Sequence, residues 1–390
     1  MNILFISAIL PYPLHSGGQV RIYNLLKRLS KKHSITLMTF IRSEEERKFA
    51  DHLSFLSGIH MVYRGRAMQP RYLVKMLGQY PLLMETYNNG EMRALIQKEL
   101  ESHRYDLVHA EPFYVYLSLP ILSVPLVVAE HNIEHLVYES YARVYPVSAL
   151  RPLLLKDAQK MRVWEERIWD MASSVIAVSK DDASDIQKHT DSTATVVPNG
   201  VDIQSFRYSE HAFDVKKPTF LFVGNFNWAP NREAVNVLLK SVWPDIRKKF
   251  SDAVLTIVGK NFPKKHVPVV GMGITLKEQV TDIRDEFTGN DILLAPMGIG
   301  GGSKYKILEA MASGTLVITT PAGAGGITGL TDEHLCTVTD TNDYSGVLTS
   351  MYASPGTAKH MTRQARKFIE TNYDWDSIAV KQDAVWKKQL

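Results

Sequence analysis

Short apolar runs rich in β-branched residues alternate with stretches of helical spacing along the whole chain. In the first half these runs are ILFISA (3–8), SITLMTF (34–40), IHMVY (59–63), DLVHA (106–110), PLVVAE (125–130), SVIAVS (174–179) and TATVVP (193–198). Between the first two, VRIYNLLKRLSKK sets Val20, Ile22, Tyr23, Leu25, Leu26 and Leu29 on one side and Lys27, Arg28, Lys31 and Lys32 on the other, the signature of an amphipathic helix. Strands apolar on both faces and separated by helices predict a parallel sheet covered on both sides.

The pattern then restarts. TFLFVG (219–224), AVLTIVG (253–259), DILLAP (291–296) and LVITTP (316–321) read as strands, and 231–247, 303–313 and 357–371 as helices. The polar, turn-rich stretch 198–218, bounded by prolines, reads as a linker. A chain of 390 residues exceeds what one core serves. The expected organisation is a doubly wound domain over 1–200, a second over 201–375, and a closing helix over 376–390. That helix carries Ile378, Ala379, Val385 and Trp386, and two surfaces are open to it: the first domain, by crossing back, or its own. Two doubly wound domains leave a cleft, and ligands of such sheets sit beyond the carboxyl ends of the strands.

Composition narrows the class. Hydrophobic residues at 45% and charged residues at 22% are those of an ordinary globular protein. A net charge of +4 is no nucleic-acid signature, but it gives mild attraction to phosphates and to an anionic membrane surface. Cys336 is the only cysteine, so no intramolecular disulfide forms, which suits a reducing compartment. The start, MNILFISAIL, reads as a buried strand rather than a leader, and no apolar run approaches membrane-spanning length. A cytoplasmic location is expected, with peripheral contact at the inner membrane face left open.

Candidate chemistry lies after the strands. In GIGGGSKYKILEAMASG (298–314) the glycines allow a ligand close to the backbone. Ser303 is a candidate N-cap, and the N–H groups of the helix start attract an anion, with Lys304 and Lys306 adding charge. Gly302 and Ser303 are thus candidate phosphate contacts. Glu309, off the Ile307–Leu308–Met311 stripe, is expected toward the mouth of the cleft, where it can accept from vicinal hydroxyls such as those of a ribose. A second glycine turn, Gly17–Gly18, follows the first strand, at the phosphate-binding location of a doubly wound domain but without GxGxxG spacing. After 125–130 comes His131, placed to bond a sugar hydroxyl or phosphate oxygen. In VGNFNWAPNREAV, Asn225 and Arg232 fall near the cleft and Asn231 is a candidate cap. For Arg232 a solvated first-turn position is the slightly stronger reading.

His131-Asn132-Ile133-Glu134-His135 also fits an H-x-x-E-H zinc pattern. Such a site needs both histidines on one face of an established helix, and His131 sits at a strand end, so zinc hydrolysis is the weaker reading. Residues 68–87 mix methionine, tyrosine and leucine with Arg71 and Lys75. A helix packed on the first domain is favoured over a lipid-facing segment.

GGGSKYKILEAMASG, VVPNGVD, VGNFNWAPN and VVAEHN, in these positions, resemble the retaining GT-B glycosyltransferases of family four over essentially the whole chain. The resemblance implies two Rossmann-like domains facing across a cleft, a nucleotide-diphosphate sugar (UDP- or GDP-linked) bound mainly by the second domain, an acceptor bound mainly by the first, and no metal or other cofactor. By this resemblance Glu309 holds the ribose hydroxyls, Gly302, Ser303 and Lys304 lie near the diphosphate and donor sugar, Gly18 closes over the diphosphate, and His131 contacts the donor sugar. Two features depart from it. The first acid of the family's pair is replaced by Gly301, and the arginine and lysine after the strand ending at Gly224 are replaced by Asn225 and Asn231. Lys304, Lys306 or Arg232 is then expected to supply charge to the leaving diphosphate.

The implied reaction moves a sugar, with retention, to an acceptor hydroxyl on a glycan, glycolipid or small molecule. The leaving phosphate takes the acceptor proton in a front-face reaction. Glu111 and Glu130, at strand ends, are remote general-base candidates for which a structural role is favoured. The missing first acid leaves a second class open, a catalytically degenerate sugar-nucleotide binder. The oligomeric state is not read from the sequence.

Overall fold

A computed structural model covers the chain and describes all residues except 66–74, 264–271 and 299–303. The chain forms two compact units, Met1–Pro198 with Ile378–Leu390, and Asn199–Ser377.

The first unit is built on seven parallel strands: β1 (Asn2–Ser7), β2 (Ser34–Ile41), β3 (Gly58–Tyr63), β4 (Leu107–Glu111), β5 (Leu126–Ala129), β6 (Ser174–Ala177) and β7 (Ala194–Val196). Their order is β3-β2-β1-β4-β5-β6-β7. The order reverses between β1 and β4, whose ends are in register at Ser7 and Glu111. Ile3, Leu4, Phe5 and Ile6 are all buried, because helices cover both faces of the central strands. The helix after β1 spans Gly17–Leu29 and begins earlier than the apolar stripe indicates. Gly17 and Gly18 are therefore its first turn rather than a loop before it. Ser16 caps it, accepting from the Gln19 N–H.

Of the two surfaces open to the closing helix, Ile378–Leu390 takes the first unit. Trp386 is fully buried there, and Asp383 Oδ1 lies 2.8 Å from His33 Nε2. Of the stretch 68–87, residues 68–74 lie outside the described residues. Beyond them, Met84 and Tyr87 are buried in the core of this unit.

The second unit has six parallel strands: β8 (Thr219–Val223), β9 (Val254–Val258), β10 (Ile274–Lys277), β11 (Ile292–Ala295), β12 (Leu316–Thr319) and β13 (Cys336–Thr337). Their order is β10-β9-β8-β11-β12-β13, reversing between β8 and β11. β10 and β13 stand at the sheet edges, are short, and carry no unbroken apolar run, so the patterning did not reveal them. The stretch 231–247, read as one helix, is an α-helix over Ala229–Val237, a π-turn over Leu238–Val242 and an α-helix over Trp243–Lys249. Pro244 lacks the N–H that would continue the ladder.

The stretch 199–218 packs into this second unit. Arg366 donates to the carbonyls of Ile203, Phe206 and Ala312 at 3.2, 2.6 and 2.7 Å. The helix Tyr305–Ser313 buries Ile307, Leu308, Ala310, Met311 and Ala312. It ends at Gly314, whose φ of +86° is left-handed and where a Cβ would stand 2.3 Å from the Ser209 carbonyl oxygen. Only glycine meets both demands.

Candidate active site

In the second unit, the loops at the β8/β11 switch point carry the residues singled out in the sequence. Gly224 follows β8 directly and lies close against Asn231. A Cβ on Gly224 would lie 2.8 Å from Asn231 Cγ. Asn231 is not the helix cap. Trp228 holds that position, and Asn231 lies in the first turn, buried, donating through Nδ2 to the Asn225 carbonyl at 2.9 Å. Its Oδ1 accepts from Lys306 Nζ at 2.8 Å. Lys306 thus ties the helix after β11 to the loop after β8.

The Lys306 ammonium stands 4.7 Å over the Phe222 ring and 3.9 Å from Met297 Sδ. Burial pushes its pKa down to about 7, against the opposing charge of Glu309 and with a small further push from Lys304. Burial likewise pushes Glu309 up to about 7, opposed by Lys306. One turn apart on one helix, the two groups share a little-solvated patch in which either can change charge near neutrality.

Lys304 is buried and occupies the N-cap position of the helix Tyr305–Ser313, without a side-chain capping bond. The helix therefore starts later than a cap at Ser303 requires. Gly302 and Ser303 themselves lie outside the described residues. Arg232 is exposed, and its guanidinium donates to the carbonyls of Phe226 and Asn227 at 2.8 and 2.6 Å. It organises the β8 loop. Asn225 does so too, its Oδ1 accepting from the Asn227 N–H at 3.0 Å.

In the first unit the β1/β4 switch point holds a buried ionic network. Glu111, fully buried at the end of β4, accepts at Oε1 from Arg21 Nε at 2.9 Å and from His131 Nε2 at 2.6 Å. Its Oε2 accepts from His109 Nε2 at 3.0 Å. Burial alone would raise the Glu111 carboxyl, but the Arg21 charge and the two histidine hydrogen bonds hold it well below the usual carboxylate range. Arg21 also donates to the carbonyls of Val197 and Pro198 at 2.9 and 3.1 Å. His131 stands two residues beyond β5 with a partly exposed ring. It packs against the glycine turn: a Cβ at Gly18 would lie 3.0 Å from His131 Cε1 and 3.2 Å from Nδ1.

The other carboxylates take structural roles. Glu130 is buried, accepts from Trp169 Nε1 at 2.9 Å, and is held well above its ordinary pKa by burial and by Glu165. A carboxyl that keeps its proton is not a general base. Glu165 accepts from the N–H groups of Glu134 and His135 at 2.7 and 2.8 Å and bonds His135 Nδ1 at 2.6 Å. It caps the helix Glu134–Arg143, which has no side-chain cap of its own. The two histidines of the H-x-x-E-H pattern are therefore committed to different carboxylates, His131 to Glu111 and His135 to Glu165. Among the described residues no group of three or more His, Cys, Asp and Glu side chains is arranged to hold a metal ion.

Patterning missed Arg21 and His109, and gave Trp386 only as an apolar residue of the closing helix. A signal was present for Arg21, a charged residue four positions before Leu25 on a helix of otherwise apolar stripe. His109 lies inside an apolar strand and Trp386 on the last helix, so their meeting has no local signature.

Comparison with known proteins bears on these arrangements. Residues 15–205 match the family described as Glycosyltransferase Family 4, and residues 217–353 the family described as Glycosyl transferases group 1. An uncharacterized 44.6 kDa protein in the cps region of Klebsiella pneumoniae is 24% identical over 388 residues, covering 96% of each chain. Among solved structures, sucrose-phosphate synthase from Thermosynechococcus elongatus superposes with a TM-score of 0.76 at 16% identity, covering 100% of this chain and 99% of that one. Anabaena HepE in complex with UDP-glucose superposes with a TM-score of 0.67 at 14% identity, covering all of both chains. The two domain matches and the shared architecture support a GT-B glycosyltransferase.

Proposed function

We propose that this protein transfers a sugar from a UDP- or GDP-linked donor to a hydroxyl of a glycan, glycolipid or small-molecule acceptor, with retention of configuration and without a metal. The observation that carries the proposal is the joined pair of loops at the β8/β11 switch point. There Lys306 bridges to Asn231 and shares its helix face with Glu309. A nucleoside diphosphate needs both parts: positive charge for its phosphates and a carboxylate for its ribose hydroxyls.

Breaking the anomeric bond puts charge on the leaving phosphate. Preorganised donors that meet this charge as it develops contribute most to the rate. Lys306 takes the larger share of that task because its ammonium is already fixed by Asn231, whereas Arg232 is committed to loop carbonyls. Lys304 stands at the N-cap of the same helix, whose start attracts anionic groups, and Gly302 and Ser303, which precede it in sequence, are proposed as further phosphate contacts. In the first unit Gly18, in the first turn of the helix Gly17–Leu29, offers the same kind of donor, and His131 contacts the sugar. That HepE is described in complex with UDP-glucose favours UDP as the first donor base to try.

Purified protein incubated with a panel of UDP- and GDP-sugars, with and without candidate glycan acceptors, is expected to release nucleoside diphosphate with one donor in the presence of chelator. Tight nucleotide binding with no release under any condition would identify a sugar-nucleotide binder instead. Activity lost with chelator and restored by zinc would move the chemistry to a metal. Glu309→Ala is expected to lower nucleotide affinity at least tenfold, since each hydrogen bond to a charged group is worth about 1.5–3 kcal/mol.

A further inference from the structure

We infer that Glu111 is the positioning residue for His131: it fixes the proton on His131 Nε2, so that Nδ1 is presented at the Gly17–Gly18 turn as a hydrogen-bond acceptor for a hydroxyl. The bond directions around Glu111 are forced by chemistry. Arg21 can only donate, so Glu111 Oε1 accepts from it at 2.9 Å. Trp386 Nε1 can only donate, so His109 Nδ1 accepts from it at 3.1 Å. Neutral His109 then carries its proton on Nε2 and donates it to Glu111 Oε2. Burial, which lowers the pKa of His109, keeps it in that neutral form.

Glu111 is thereby left with acceptor capacity only, and the 2.6 Å contact from His131 Nε2 must be an N–H donor. The remaining ring nitrogen of His131, Nδ1, makes no hydrogen bond among the described residues and faces the first turn of the helix Gly17–Leu29. The line Trp386–His109–Glu111–His131 runs from the closing helix, through β4, to the glycine turn.

The consequence for recognition rests on the glycosyltransferase reading above. A bare imidazole nitrogen accepts a hydrogen bond, so it selects a sugar hydroxyl, which has a proton to give. It repels a phosphate oxygen, which has none. His131 therefore reads a sugar hydroxyl and not a phosphate oxygen.

The test is a long-range proton–nitrogen correlation spectrum of the full-length protein labelled with ¹⁵N-histidine, recorded without any donor and assigned with His131→Gln and His109→Gln. Recorded at a pH well above the ordinary imidazole range, wild-type His131 is expected as a single tautomer with the proton on Nε2. In Glu111→Gln, whose amide can present either a donor or an acceptor, that preference is expected to collapse to a mixture. In Trp386→Phe the His109 proton is expected to stay on Nε2, because Glu111 Oε2 still accepts from it, while the Nδ1 resonance shifts with the loss of the indole donor. A wild-type His131 protonated on Nδ1, or on both nitrogens, overturns the inference. So does an unchanged His131 spectrum in Glu111→Gln.

If Glu111→Gln does not fold, the wild-type spectrum still decides the tautomer and Glu111→Asp reports the dependence on the carboxylate. These readouts need no turnover, so failure of the sugar-transfer reading leaves them intact and their failure leaves that reading standing. On the donor identified by nucleotide release, Glu111→Gln is expected to lower kcat/KM by about 3- to 10-fold, the worth of one hydrogen bond.

Discussion

The Nζ of Lys306 lies 2.8 Å from Oδ1 of Asn231, joining the helix after β11 to the loop after β8 across the point where the strand order reverses. The bond explains why Asn231 is buried at a first-turn position and why only glycine fits at 224 beside it. It also places the charge of Lys306 on the side where a bound phosphate meets the ends of a parallel sheet.

Lys306→Met is expected to lower turnover by about 10²–10³, the cost of removing one preorganised donor to a developing oxyanion. Replacing a largely desolvated ammonium with an apolar side chain of similar length is expected to leave the thermal midpoint within a few degrees of wild type. Steady-state nucleotide release and a melting curve separate the two effects. A variant with full turnover would assign the charge elsewhere.

Glu309→Gln is expected to gain stability relative to wild type as pH rises from 5 to 8. The carboxyl has an ordinary pKa of 4.5 in the unfolded chain and is pushed up to about 7 by burial in the folded one. The folded protein thus holds a proton that the unfolded chain has already released. The stabilisation from this excess is present below 4.5 and is lost as pH passes through about 7. The glutamine variant has no such loss, so the difference between the two melting temperatures should widen up to neutrality and then level off. A constant difference across this range would show that Glu309 titrates as an exposed side chain.

Gly18→Ala is expected to act through His131 rather than through the backbone. Gly18 is helical, where alanine is ordinarily favoured over glycine by about 0.5–1 kcal/mol, but the new methyl would stand 3.0 Å from His131 Cε1. The substitution should therefore destabilise the wild-type background and stabilise a His131→Ala background. Melting curves of the four proteins test this change of sign as a double-mutant cycle. The same sign in both backgrounds would place the ring away from Gly18.

Arg366→Ala should destabilise the second unit by about 2–3 kcal/mol, because one guanidinium satisfies three carbonyls on two segments distant in sequence. Denaturant unfolding followed by the tryptophans Trp228 and Trp243 would register the loss. Arg366→Lys, with a single ammonium in place of a planar fork, should recover little of it.

The doubly wound architecture was legible because each central strand is buried on both faces. It must then be apolar at nearly every position, and Leu4–Ile6 and Leu293–Ala295 advertise themselves without context. Edge strands such as Cys336–Thr337 are half solvated and carry no such constraint. The positions of Glu309 and Lys306 on their helix follow from its period of 3.6, and Gly314 marks its end because the chain needs a left-handed residue there.

What the sequence alone determined, then, is the alternation of buried strands and amphipathic helices, and with it the loops at the strand ends where ligands of such sheets bind. Tertiary structure alone decided which side chains those loops bring together: Glu111 with His131 and Arg21, Trp386 with His109, and Asn231 with Lys306. Burial of a strand is a property of each residue and is written locally in its side chain. A hydrogen bond between His109 and Trp386, 277 positions apart, depends on where two elements pack, and no local pattern records it.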